Sequence, residues 1–324
     1  MNIILISSGY KGIYPYLEQT VVDEFLKLGH SIVKINPTLT KELREVIKQS
    51  KPEVVITLVG YKTDKQLLND LRKTGAVLCV WLTEDPFYLD RSIEIMPYFQ
   101  HVFTIDLAAF EFYKVMFPEK TIMHLPLGTI SSIYQPSEEK AKYDLCLTGF
   151  PYPGRVELVQ RILAETPYSL IVVGPGWRKS IAENDPNRVT IINRWSSPHQ
   201  IRKVYNQSKI ILNPHRDDNF RGNQNNLGIT SKSINNRCFD IAACGGFQLI
   251  PHKPDTDVHF NLEKEIVVYS SPQHCIELIH FFMKNEVERT QYSQNAYKRA
   301  LNGHTMFHRI QDILNTLFEK SKGE

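Results

Sequence analysis

Short apolar runs alternate with amphipathic helical stretches along almost the whole chain, and this rhythm constrains the fold more than any other feature. Ile3–Ile6, Ile32–Ile35, Val54–Leu58, Val77–Leu82, His101–Thr104 and Thr121–His124 read as strands. Leu17–Leu28, Lys41–Gln49, Lys65–Arg72 and a stretch near Ala108–Met116 carry apolar residues at helical spacing between them. Residues 127–142 break the rhythm with a polar, turn-rich segment containing Pro136, which reads as a linker. The alternation then restarts. Strands are expected over Asp144–Thr148, Ser169–Val173, Val189–Ile192, Lys209–Asn213, Phe247–Pro251 and Ile266–Tyr269. Helices are expected over Arg155–Glu165, Pro198–Ser208 and Ile234–Cys244, and the chain from Pro272 onward is mainly helical. Apolar strands separated by helices imply a parallel sheet covered on both faces. At 324 residues the chain exceeds the roughly 250–300 residues at which one core stops growing. The fold class is therefore α/β, with two tandem Rossmann-like, doubly wound domains. Open sheets of this kind bind ligands beyond the C-terminal ends of their strands, so function is sought in the loops after strands.

Composition narrows the partners. A net charge of +3 is too small to argue for nucleic acid or a membrane surface. No stretch approaches the ~18 consecutive apolar residues of a membrane span, so no transmembrane segment is expected. The apolar N-terminal run Ile3–Ile6 has no basic region before it and reads as a strand, not an export signal. Cys79, Cys146, Cys238, Cys244 and Cys275 are odd in number and scattered, which points to reduced thiols and a cytoplasmic location.

Lys232–Phe247, KSINNRCFDIAACGGF, concentrates the chemistry. Ser233 is a good N-cap, Arg237 and Asp240 share a helical face, and Gly245-Gly246 ends the helix. The preceding loop opens at His215 and supplies Arg216, Arg221 and Lys232. Basic residues around a helix N-terminus suit a diphosphate. The alternative is an ordinary surface ion pair between Arg237 and Asp240. Gly9, Gly149 with Gly154, and Gly174 with Gly176 follow strands, where glycine lets backbone approach a ligand closely. None reads G-x-G-x-x-G, so no nicotinamide or flavin is expected. Glu84-Asp85 follows the strand Val77–Leu82, where a general base could take a proton. Asp85 is the first candidate, Glu84 the second and His124 the third; the alternative for Asp85-Pro86 is a turn opener. Asp217-Asp218 and the pair His304 and His308 suggest no third ligand, so no metal is expected.

The pattern R-x-F-D-x-x-A-x-G-x-F in Arg237–Phe247 resembles the C-terminal signature of GT-B glycosyltransferases, and most closely the CgeB-like spore-maturation glycosyltransferases. Asp144–Phe150 with Arg155, Val172–Trp177, Asn213-Pro214, Glu265–Tyr269, His304–Arg309, Trp81–Pro86 and His124–Gly128 resemble further parts of that family. The resemblance implies an acceptor domain over 1–135 and a nucleotide-sugar donor domain over 136–303. It also implies a C-terminal helix within 304–324 that crosses back to the first domain. The implied activity is transfer of a sugar from a nucleotide-diphosphate sugar to an unknown glycan, protein or small-molecule acceptor, without metal or cofactor, in spore-coat or surface polysaccharide synthesis. Alternatives are a nucleotide-sugar epimerase and a non-catalytic spore-coat or sugar-binding protein that retains the GT-B fold. By resemblance Asp240 contacts the nucleotide ribose, and Arg237 and Lys232 contact the diphosphate. Gly9, Gly149, Arg155, Gly174, Gly176, His215, Gly245 and Gly246 complete the implied donor site. The wider retaining pattern has two glutamates separated by seven residues; Lys232 and Asp240 stand at those positions.

Overall fold

The structure is a computed structural model, and it describes residues 1–181 and 187–319. Residues 320–324, at the end of the expected terminal segment, lie outside the described residues. All twelve expected strands form. They are β1 (Asn2–Ile6), β2 (Ser31–Ile35), β3 (Val54–Leu58), β4 (Val77–Leu82), β5 (His101–Thr104), β6 (Thr121–His124), β7 (Tyr143–Thr148), β8 (Leu170–Val173), β9 (Val189–Ile192), β10 (Ser208–Leu212), β11 (Gln248–Pro251) and β12 (Val267–Tyr269). They build two six-stranded sheets, in the orders β2-β1-β3-β4-β5-β6 and β12-β11-β10-β7-β8-β9. Every strand pairing is parallel.

The helices are α1 (Tyr14–Lys27), α2 (Lys41–Ser50), α3 (Lys65–Arg72), α4 (Leu89–Ile95), α5 (Leu107–Met116), α6 (Pro153–Glu165) and α7 (Trp177–Ser180). They continue with α8 (Pro198–Asn206), α9 (Arg237–Ala243), α10 (Thr256–His259), α11 (Pro272–Lys284), α12 (Glu286–Gly303) and α13 (Met306–Glu319). The short helices α4, α7 and α10 follow strand-end loops and are not expected from the sequence. Several starts are capped as their residues dictate. Asp106 accepts the N–H groups of Ala108 and Ala109 at the start of α5, and Ser197 with Gln200 forms a capping box on α8.

Each sheet has its own core. In the first, Ile4, Ile6, Val55, Leu78, Val80 and Leu82 pack on Leu67, Leu68 and Leu71 of α3. In the second, Leu145, Leu147, Leu170, Val172, Ile210 and Leu212 meet Leu158, Val159 and Ile162 of α6. Each such buried side chain contributes roughly 1.5–3 kcal/mol by leaving water.

The chain divides into two compact units at places that differ from the expected boundaries. The first contains Met1–Leu127, Arg221–Ser233 and Met306–Glu324; the second contains Gly128–Phe220 and Ile234–Thr305. The expected boundary at 135 thus falls inside the second unit, which already begins at Gly128. Arg221–Ser233, expected in the donor domain, belongs to the first unit. Its attachments explain why. Gln224 exchanges backbone hydrogen bonds with Phe87 and Asp90. The Asp106 carboxylate accepts the Ser231 hydroxyl at 2.7 Å and the N–H groups of Lys232 and Ser233 at 3.2 Å. The terminal helix α13 also belongs to the first unit, packed on α1. Arg309 of α13 donates to the Pro126 carbonyl at 2.8 Å.

Candidate active site

Strand order locates two crevices. In the second sheet, successive connections run from β7 through β8 to β9, then jump back to β10 on the other side of β7. The loops after β7 and β10 therefore diverge, and a ligand crevice opens beyond the strand ends. In the first sheet the equivalent reversal lies between β1 and β3.

The second unit's crevice gathers guanidinium groups. Arg155, on α6 just after the β7 loop, is 2% exposed. It donates from Nε and Nη2 to the Pro214 carbonyl, at 3.1 and 2.9 Å, and from Nη1 to the Phe150 carbonyl at 3.1 Å. Arg237, the first residue of α9, donates from Nε to Asn213 Oδ1 at 3.1 Å. The two guanidinium groups converge at Gly149: a Cβ there would lie 2.5 Å from Arg155 Nη1 and 3.6 Å from Arg237 Nη1. Among the described residues, no ion pair within 4.0 Å links either arginine to a carboxylate. Burial, and then the Arg237 charge, hold Arg155 down to about 9. His215 is buried beside them. Its Nδ1 accepts from the Asn235 amide at 2.7 Å. Burial, followed by the charges of Lys253, Arg237 and Arg155, pushes it well below the usual histidine range and keeps it neutral.

Glycine shapes the same wall. Gly174, after β8, has φ +151, and a Cβ there would sit 2.2 Å from the Gly149 carbonyl oxygen. That carbonyl accepts Trp177 Nε1 at 2.8 Å, which locks the β7 and β8 loops together. Gly176 precedes α7 against Pro151. Asp217 accepts the Gly154 N–H at 2.9 Å, and Asp218 lies 3.7 Å from Lys253.

Four expected donor residues are placed elsewhere. Helix α9 starts at Arg237, not Ile234, because Ser233 accepts the Leu107 N–H in the first unit and the Ile234 N–H donates to Asp255. Lys232 lies in the first unit, with its ammonium on Glu111. Gly9 also lies in the first unit, after β1, where its carbonyl accepts Lys62 Nζ at 3.0 Å. Gly245 and Gly246 precede β11 and line a hollow with Ser208 and Lys209, at the strand edge opposite the crevice. Gly246 serves packing: a Cβ there would lie 2.6 Å from Ile211 Cδ1. Asp240 is 5% exposed, and its carboxylate accepts from Thr129 at 2.8 Å and Asn236 at 3.1 Å. Asn213 is missing from the expected set. It is the hub that holds both Arg237 and Asn235, and its signal in the sequence is a lone amide directly after the apolar run of β10.

The first unit's crevice holds a cavity of about 220 Å³ lined by Tyr10, Tyr14, Tyr61, Glu84 and Tyr88. The loop after β1 is shaped by buried Glu18, which accepts the Ser7 hydroxyl and both the N–H and hydroxyl of Ser8. The loop after β3 reaches Tyr61 through Val59 at φ 67 and Gly60 at φ 86. A left-handed β-branched residue is strained backbone, a cost that clusters at ligand sites. Tyr14 donates to Glu84. Burial, reinforced by Glu84, holds the Tyr14 phenol well above its usual range, so it remains a donor.

The first-choice base, Asp85, sits behind this wall. It is 1% exposed. Its carboxylate accepts the hydroxyls of Ser92 at 2.6 Å, Thr104 at 2.8 Å and Tyr113 at 3.1 Å. Burial pushes it up to about 7. It is a core carboxyl without access to a ligand, whereas its neighbour Glu84 lines the cavity. His124 Nε2 lies 3.3 Å from the Ile105 carbonyl and 3.1 Å from the Ser233 hydroxyl, away from the cavity lining. His304, in the second unit, stacks on Phe239 with 4.6 Å between ring centroids.

Comparison with known proteins fits this geometry. A family model described as glycosyl transferase-like matches residues 155–315, from Arg155 through Arg237 to α13. The spore protein CgeB of Bacillus subtilis (strain 168) is 28% identical over 306 residues, covering 93% of this chain and 94% of that protein. The chain is homologous to CgeB, carries a glycosyl transferase-like domain and has the GT-B fold. A solved glycosyltransferase of Rickettsia africae ESF-5 shares the GT-B fold at TM-score 0.71 and 12% identity, with 99% of each chain covered. Anabaena HepE, solved in complex with UDP and glucose, matches at TM-score 0.69 and 11% identity, covering 98% of this chain and all of the other. Among the described residues, no helix is long and apolar enough to cross a membrane.

Proposed function

We propose that this glycosyltransferase takes its sugar from a nucleoside-diphosphate sugar and passes it to an acceptor hydroxyl without a metal ion. The observation that carries the proposal is the convergence of Arg155 and Arg237 on Gly149. Among the described residues no carboxylate lies within 4.0 Å of either guanidinium group, Asp217 and Asp240 acting on them only from farther off, and they stand at the switch point of a Rossmann sheet. Two like charges held close together repel each other, and an anion placed between them relieves that repulsion. A diphosphate supplies that charge. The Arg237 fork binds it directly, and Arg155 adds its field from behind Gly149. As the bond from the anomeric carbon to the diphosphate oxygen breaks, these charges stabilise the departing nucleoside diphosphate. Neutral His215 and Asn213 orient the group. We assign the acceptor to the first unit and the acceptor's proton to Glu84. UDP, which HepE holds in its solved complex, is the first nucleotide to try. The kinship with a spore protein supports a product in the spore coat or a surface polysaccharide. Five buried thiols support a cytoplasmic reaction.

The test is product analysis with UDP-glucose and other nucleotide sugars, with and without glycan acceptors. Release of nucleoside diphosphate coupled to a glycosylated acceptor is expected. Conversion of the donor sugar to its epimer with no acceptor present would replace this proposal with an epimerase.

A further inference from the structure

The walls of the first unit's cavity carry information about the acceptor itself, on the reading that this glycosyltransferase binds its acceptor on that unit. The rings come in two tilted pairs. Tyr10 and Tyr14 have centroids 5.6 Å apart at 40°, and Tyr61 and Tyr88 have centroids 6.3 Å apart at 38°. Among the described residues, Glu84 is the one acidic residue lining the space between them. Two cations of the chain already flank the rings. Lys62 Nζ lies 3.9 Å from the Tyr10 centroid, and the Arg91 guanidinium lies 5.8 Å from that of Tyr61.

This charge layout discriminates among ligands. A carboxylate or phosphate inside the cavity would face Glu84. An ammonium group would be drawn to Glu84 but opposed by the two cations Lys62 and Arg91, which already engage the Tyr10 and Tyr61 rings. A neutral ring with C–H faces and hydroxyl edges meets neither penalty. Its faces lie on tyrosine rings and its hydroxyls reach the tyrosine O–H groups and Glu84. The cavity, at about 220 Å³, is below the roughly 300–1,000 Å³ of sites for drug-sized ligands, so it suits one ring rather than several. Strain at Val59 is spent on bringing Tyr61 to this wall.

We infer that the cavity of Tyr10, Tyr14, Tyr61 and Tyr88 binds one uncharged sugar ring, the terminal residue of a glycan acceptor, with a hydroxyl directed at Glu84. The acceptor is a neutral saccharide end, not a peptide amine, a uronic acid or a phosphorylated lipid.

The experiment is ligand-observed NMR on the full chain with three kinds of probe: methyl hexopyranosides of the gluco, galacto and manno series, methyl glucosaminide, and methyl glucuronide. At least one neutral hexoside should bind, and the amine and the acid should bind more weakly. Tyr10→Ala, at the half-buried rim, and Tyr88→Ala should each weaken the hexoside about fivefold while UDP affinity stays unchanged. No binding by any neutral hexoside, tighter binding by either charged probe, or unchanged hexoside affinity in both variants overturns the inference. UDP binding is measured separately, so its loss in the wild type counts against the donor proposal and leaves the hexoside result to decide this one.

Discussion

The Thr129 hydroxyl donates to the Asp240 carboxylate at 2.8 Å, inside the second unit. The same threonine donates its N–H to the His304 carbonyl at 2.8 Å and bridges Thr305. Asp240 therefore anchors the place where two distant segments of the chain run side by side. Burial raises it to about 7, and Asp85 in the other unit is raised to about 7 for the same reason.

These two carboxyls make stability fall as pH rises. Each titrates near 3.8 in its ordinary state and near 7 when folded. Between those values the folded chain keeps protons that the unfolded chain releases, so the contribution is full below pH ~4 and lost through pH ~7. The shift corresponds to about 4 kcal/mol per group at most, at 1.36 kcal/mol per unit. Melting temperatures of wild type and Asp85→Asn should converge, or cross in favour of Asn, between pH 5 and 8. A difference independent of pH would contradict the assignment.

Glu84 and Asp85 should separate cleanly in kinetics. Glu84→Gln removes the proposed base and should lower kcat by roughly 10²–10⁴ with unchanged UDP affinity. Asp85→Asn, at a buried carboxylate hydrogen-bonded to Ser92, Thr104 and Tyr113, should stay within about tenfold of wild type. The reverse pattern would return the role to Asp85.

The central strands are legible in the sequence because parallel, doubly covered strands are continuous apolar runs; the half-exposed edge strands β2, β6 and β9 are placed by their short apolar stretches between helices. The basic crevice is legible at Arg155 and Arg237, which follow strand-end loops. Lys232 is not, because sequence adjacency to Arg237 says nothing of Asp106, more than a hundred residues earlier, which draws Ser231–Ser233 into the first unit. Sequence favours Asp85 over Glu84 for want of any in/out alternation in their loop, and only the folded backbone decides which carboxylate turns inward. The tyrosine cavity escapes a reading along the chain because its residues come from separate places: Tyr10 and Tyr14 follow β1, Tyr61 follows β3 and Tyr88 follows β4.

Close approach of the β7 and β8 loops makes Gly174 intolerant of any side chain. Gly174→Ala would place Cβ 2.2 Å from the Gly149 oxygen at φ +151 and should cost about 3 kcal/mol or more. Gly29→Ala, at φ +81 in open space, should cost about 1 kcal/mol. Denaturant unfolding of both variants reads the contrast, and equal losses would mean that the loop contact carries no weight.

The central claim is that Arg237 holds the donor diphosphate. Calorimetric titration of UDP into wild type and Arg237→Ala tests it most directly, with ADP, GDP and dTDP as alternatives should UDP be the wrong base. At least one nucleoside diphosphate should bind the wild type. The variant should fold with a similar melting temperature and bind that ligand roughly 10–150-fold more weakly, as expected for loss of a charged hydrogen-bond pair. Equal affinity in the two proteins would contradict the account.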